Sequence, residues 1–141
     1  LQGALLALGA TVRSTGEGGE KSQPVEDFLP ERLGRLVLDV SFEAPTAGGF
    51  AAFRRRHAHH FTPLAVSGAK GASGEIRLAV TGAGAHGMRL PSAEAAANDP
   101  DSAGQAALSD VTMSDDAILS GWYRERLLPG LVRQVLNEMK G

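Results

Sequence analysis

The sequence predicts an α+β fold with helices on one side of an antiparallel sheet. Three observations carry this. Short segments with apolar residues at period two recur as far as Thr81. From Pro91 onward the chain turns alanine-rich, and residues 120–140 repeat apolar side chains about every four positions. Strands first and helices last is the order in which helices come to cover one face of a sheet.

The elements follow in order. Residues 1–8 suit the last turns of a helix, ended by Gly9. Ala10–Ser14 and Lys21–Val25 are short strands joined by the turn Gly16-Glu17-Gly18-Gly19, and Glu26-Asp27-Phe28-Leu29-Pro30 closes that unit. A longer strand spans Leu33–Glu43, where Leu36, Leu38, Val40 and Phe42 fall on one face at period two. Pro45 to Gly49 reads as a turn, Phe50–His57 as the next strand and Leu64–Ala69 as a short one. After a hairpin turn at Gly71–Gly74, Glu75–Thr81 points Ile76, Leu78 and Val80 inward.

Ala93–Asn98 and Ala103–Leu108 are helical in composition, and Ser120–Lys140 carries the clearest helical period. There Tyr123, Leu127, Leu131, Val135 and Met139 form a stripe that Leu128, Val132 and Leu136 widen. Pro129-Gly130 predicts a kink, or two stacked helical pieces. Asp115-Asp116 mark the start of that helix, and Trp122 and Tyr123 read as core anchors.

Composition sets outer limits. At 141 residues, with 43% hydrophobic and 21% charged, the chain can bury one modest core and is too apolar for disorder. A net charge of -2 gives no global pull toward nucleic acid or anionic membrane. Without cysteine the chain itself holds no disulfide, iron–sulfur ligand or catalytic thiol. No apolar run approaches a membrane span of roughly 18 residues. The apolar opening, without a basic flank or start methionine, reads as the end of an element that begins upstream, so the chain is expected to be a fragment.

Motifs suggestive of chemistry resolve into turns. Gly82-Ala83-Gly84-Ala85-His86-Gly87 spells GxGxxG after a strand, but Pro91 starts the next helix too late for its amides to meet a pyrophosphate. In Gly16-Glu17-Gly18-Gly19-Glu20-Lys21-Ser22 an acid stands where a phosphate loop needs glycine. Arg54-Arg55-Arg56-His57-Ala58-His59-His60 is the densest charged stretch; His57 and His59 share a strand face but lack further ligands, and the arginines lack interleaved aromatics. No catalytic constellation assembles, and no metal site is expected.

Taken in order, the pieces resemble the FAD-carrying subunit of molybdenum hydroxylases, the flavoprotein family of carbon monoxide dehydrogenase and xanthine dehydrogenase. Leu5-Leu6-Ala7-Leu8-Gly9-Ala10-Thr11-Val12, Gly19-Glu20, Pro24 and Asp27-Phe28-Leu29 are similar to the end of its FAD-binding region. Arg32-Leu33-Gly34-Arg35-Leu36 through Phe42 resembles the strand entering its C-terminal domain, and Phe50-Ala51-Ala52-Phe53-Arg54-Arg55-Arg56 an aromatic strand ending in arginines. Gly74-Glu75-Ile76-Arg77-Leu78 through Arg89, then Ala93-Glu94, Met113-Ser114-Asp115-Asp116 and Trp122-Tyr123-Arg124 through Leu136, follow in the family's order.

The resemblance implies residues 1–31 as the end of the FAD-binding domain and 32–141 as the C-terminal domain. The latter should be an antiparallel sheet of three to four strands backed by a three-helix bundle. The complete subunit would bind FAD, which passes electrons from iron–sulfur clusters and a molybdopterin centre on partner subunits to an acceptor, in the cytoplasm. Glycine-rich segments that hold the FAD diphosphate are not found among these residues. Leu33 matches a leucine that packs by the isoalloxazine in the family. Where the family often has a lysine this chain has Ala52, and Arg54, two residues on, is expected to supply the positive charge instead; His59-His60 stand where an acid is common. By itself the chain is expected to be non-catalytic. The alternatives are a stand-alone α+β interaction domain without a redox role and a GxGxxG nucleotide-binding enzyme.

Overall fold

A computed structural model describes residues 1–54 and 62–140. Helix α1 (Gln2–Ala7) leads through Gly9, at φ 60°, into strand β1 (Thr11–Gly16). Gly18 and Gly19, both at positive φ, turn the chain into β2 (Lys21–Pro24), antiparallel to β1. The segment expected only to close this unit is a helix, α2 (Val25–Glu31), because Val25, Phe28 and Leu29 recur at i, i+3 and i+4 and are all buried. β3 (Arg35–Ser41) then pairs with β1 and completes a first sheet in the order β2-β1-β3.

One expectation for β3 fails for a local reason. The register with β1 shifts between Arg13 and Ser14: Asp39 faces Arg13 and Val37 faces Ser14, so Leu38 is the extra residue of a bulge. Paired residues share a face, which puts Val37 and Val40 beside the buried Ser14 and Val12, and Leu36 on the other side. Leu36, Leu38 and Val40 therefore do not form one apolar face.

The second sheet runs β4-β5-β6-β7, all antiparallel, from β4 (Ala47–Phe53), β5 (Leu64–Lys70), β6 (Ile76–Thr81) and a short β7 (Met88–Arg89) that the sequence did not reveal. Of the expected strand Phe50–His57, residues 55–57 lie outside the described residues, and β4 instead begins three residues earlier, inside the expected turn. Its two glycines belong to the strand: a methyl on Gly49 would meet the Val135 carbonyl oxygen at 2.7 Å. Gly82–Gly87 forms the loop between β6 and β7, as its sequence implies.

Three helices follow: α3 (Pro91–Ala95), α4 (Pro100–Ala106), continued by a 3-10 turn at Ala107–Ser109, and α5 (Gly121–Glu138). The Asp110 carboxylate accepts from the Ser92 and Ala93 amides and so caps α3 from a distance. α5 is one helix through Pro129-Gly130, not two pieces. Its buried line is Arg124, Leu128, Val132, Val135 and Leu136. Trp122 and Tyr123 are not core anchors, since Trp122 is 61% exposed and Tyr123 points partly to solvent.

α5 packs on one face of β4 and β5, where Leu64, Val66, Leu78 and Val80 meet Leu128, Val132 and Val135. α1 packs on the opposite face of β5 and β6, where Leu6 and Ala7 join Ala69, Ala79, Val12, Val25 and Phe28. β5 is thus buried on both sides along all but its last residue.

This close approach predicts a contrast. Gly49→Ala should cost about 1–3 kcal/mol in urea unfolding, because the atom it strikes is backbone. Gly130→Ala, exposed on α5 with open space before it, should instead stabilise by up to about 1 kcal/mol. Equal effects at the two sites would contradict the packing described.

Candidate functional site

The two residues singled out for a flavin flank strands of separate sheets. Leu33 sits in the turn between α2 and β3 and is 83% exposed. The turn is firmly held. The Arg32 guanidinium donates to the Leu29 carbonyl at 2.6 Å. Arg35 donates to the Ser14 hydroxyl at 2.9 Å and to the carbonyls of Ser14 and Gly19 at 3.1 Å each, tying the start of β3 to the β1–β2 hairpin. An apolar side chain presented to solvent on a fixed turn is available to another surface.

Arg54 is the first residue after β4 and is exposed. It makes no ion pair with any described residue. The two faces of β4 differ. Ala51 packs into the core under α5, and the Phe53 ring meets Tyr123 edge-on at 5.6 Å. Gly48, Phe50 and Ala52 alternate onto the other face, opposite Ala69, Ser67 and Ala65 of β5. α1 covers that face over β5 and β6 but leaves β4 open, so Phe50 is 51% exposed. The opening is a groove of about 430 Å³ whose walls include Ala4, Leu8, Pro45, Gly48, Phe50 and Gly68. The outer edge of β4 is partly closed by Glu138 of α5, whose carboxylate accepts from the Phe50 amide at 3.0 Å.

The Ser-Asp and Tyr-Arg motifs come together at the start of α5. Ser120 caps the helix by accepting from the Tyr123 amide, and the Asp115 carboxylate accepts from the Gly121 amide at 2.7 Å, so these acids do mark a helix start. Arg124 is buried, 3% exposed. It donates to the carbonyls of Ser114 at 2.9 Å and Leu119 at 2.7 Å and pairs with Asp116. The amides of Leu119 and Ile118 also donate to Asp116; with Arg124 adding to them, they hold its carboxyl below the ordinary aspartate range. Arg124 is a structural clamp on the loop before α5.

Among the described residues no group of three or more His, Asp or Glu side chains could hold a metal, and no helix is long and apolar enough to cross a membrane. His57, His59 and His60, with Arg55 and Arg56, lie outside the described residues. The open face of β4 has no local signature, because it depends on where α1 stops.

No family model matches the sequence, and no curated protein matches it. Solved structures do. A chain of carbon monoxide dehydrogenase from Hydrogenophaga pseudoflava, in a form lacking the Mo-pyranopterin moiety of the molybdenum cofactor, superimposes with a TM-score of 0.81 at 19% identity, over 99% of this chain and 55% of that one. The chain shares its fold. Reconstituted CO dehydrogenase from Oligotropha carboxidovorans gives 0.81 at 17% identity, over 99% and 55%, and quinoline 2-oxidoreductase from Pseudomonas putida 86 gives 0.78 at 16%, over 98% and 54%. The chain therefore spans about half the length of the chains it matches.

Removing Arg124 tests the clamp. Arg124→Leu leaves two carbonyls without a donor and should cost about 1–3 kcal/mol of unfolding free energy at neutral pH. Asp116 adds a pH signature. A carboxyl whose pKa is depressed by folding stabilises above its unfolded pKa and loses that contribution as pH falls through the folded value. The stability gap between wild type and Asp116→Asn should be full at neutral pH and shrink below the ordinary aspartate range. A gap constant down to strongly acidic pH would contradict this role.

Proposed function

We propose that this chain is the C-terminal part of the FAD-carrying subunit of a molybdenum hydroxylase. In this reading it lines one side of the flavin site and contacts partner subunits, and the activity resides in the assembly. The observation that carries it is the shared fold with carbon monoxide dehydrogenase chains over 99% of these residues. The ordered motifs from Leu5 to Leu136 support the same assignment. Residues 1–31 are read as the end of the FAD-binding domain and 32–141 as the C-terminal domain, with β3 pairing to β1 across that boundary. α3, α4 and α5 are read as the family's three-helix bundle.

The residues present fit one side of a flavin. Leu33 offers an exposed apolar side chain on a pinned turn, and the open face of β4 offers Phe50 and small neighbours suited to a flat ring. Arg54, in place of the lysine absent at Ala52, offers a guanidinium with no carboxylate partner among the described residues. When bound, FAD would supply transfer of electrons between the iron–sulfur clusters of a partner subunit and an external acceptor. The chain's own residues would orient the ring, exclude water from one face and place positive charge near it. The molybdopterin centre, with substrate choice, would belong to another subunit, and the assembly would be cytoplasmic.

The experiment is isolation of the native assembly through a tag on this chain. The reading expects an iron–sulfur and a molybdopterin subunit to co-elute, with molybdenum, iron and a flavin spectrum present. Arg54→Ala should shift the flavin reduction potential downward with the assembly intact. Purification of the chain without any of these partners would leave a stand-alone interaction domain. The 141 residues alone should retain no stoichiometric FAD, and a yellow, saturated preparation of them would also count against the reading.

A further inference from the structure

Trp122 and Arg126 have no part in the flavin reading, yet they belong to an ordered cluster on the surface of α5. The Arg126 guanidinium lies over the Trp122 indole, 4.5 Å from the ring centroid. Tyr123 stacks beside Trp122 at 6.3 Å and 29°, and Phe53 braces Tyr123 edge-on. Stacking of this kind uses the flat faces of a guanidinium and leaves its N–H edge free for a carboxylate. Arg126 makes no ion pair with any described residue. Exposed tryptophan, tyrosine and arginine held together are the side chains that dominate protein interfaces.

A groove of about 670 Å³ continues from this cluster between α4 and α5, lined by Asp101, Gln105, Arg126, Pro129, Gly130 and Arg133. Its floor is low because Gly130 has no side chain and open space before it. α4 approaches α5 closely at Gly104, where a methyl would meet the Pro129 carbonyl oxygen at 2.7 Å. The one acid in the groove wall, Asp101, is already held by Arg133 at 3.0 Å. Positive charge is left over at Arg126 in a chain whose net charge is -2.

We infer that this face of α5 docks an acidic segment of a partner protein, with a carboxylate on the free edge of Arg126 and an apolar side chain against Trp122. A nucleic-acid strand fits less well. Phosphate binding draws its strength from several neutralising cations, and here two arginines stand with Asp101 between α4 and α5.

Trp122 is the chain's single tryptophan, so its emission reports on this face directly. A hexaglutamate peptide with one central leucine, titrated into the protein, should shift that emission saturably, and more weakly as salt is raised. Arg126→Glu and Arg126→Gln, each checked for an unchanged circular dichroism spectrum, should weaken binding roughly tenfold or more. A lysine peptide of equal length should leave the emission unchanged. The inference is overturned by no saturable response up to millimolar glutamate peptide, by an equal response to the lysine peptide, or by unchanged affinity in both Arg126 variants. A tighter response to a single-stranded oligonucleotide or to inorganic phosphate also overturns it. None of these measurements involves flavin, so their failure and that of the flavin reading are separable.

Discussion

Burial of β5 from both sides is the constraint on which the rest of the structure depends. Residues are small where helices approach: Val135 of α5 lies against Gly68 of β5 and Gly49 of β4, and α1 brings Gly3 against Ser67 on the opposite face. A strand covered on both faces gains dispersion contacts along its whole length. It also fixes the positions of α1 and α5 relative to each other through one layer of sheet. The first sheet follows from α1 through Gly9, and the loop before α5 is drawn in by Arg124.

That arrangement also decides what is left open. α1 is short, covers β5 and β6, and ends before β4, so the β4 face carrying Phe50 has no partner helix. On the first sheet, Leu36 is 67% exposed, and Val37, Leu38 and Phe42 are also open to solvent. Fully burying one such side chain stabilises by about 1.5–3 kcal/mol, so several together drive association. An apolar strand edge without cover is a liability for a solitary protein and an interface for an assembled one. Both open regions lie next to residues that the resemblance singled out, β3 next to Leu33 and β4 next to Arg54.

Much of the fold was legible because its signals are local. Gly9 and the Gly18-Gly19 turn carry their own backbone preference, and Ser120 with Asp115 caps a helix within a few residues. What escaped depends on distant atoms. A single inserted residue at Leu38 leaves no mark in composition, yet it resets which side chains share a face. Gly48 and Gly49 look like a turn until Val135 is seen beside them. Tyr123 has the right period for the core, but Arg124 takes the inward position and leaves Tyr123 and Trp122 exposed. Leu33 and Arg54 were never legible from periodicity or spacing; they rest on ordered resemblance alone.

In the proposed reading the open faces of β3 and β4 are covered in a larger flavoprotein assembly, with Leu33 and Arg54 both facing the flavin. A density map of the native assembly, purified through this chain, tests it most directly. The account predicts a flavin ring in contact with Leu33 and over Phe50, the Arg54 guanidinium directed at it, and polypeptide over Leu36. A map in which these faces meet solvent, or in which Arg54 points away from the flavin, would contradict it.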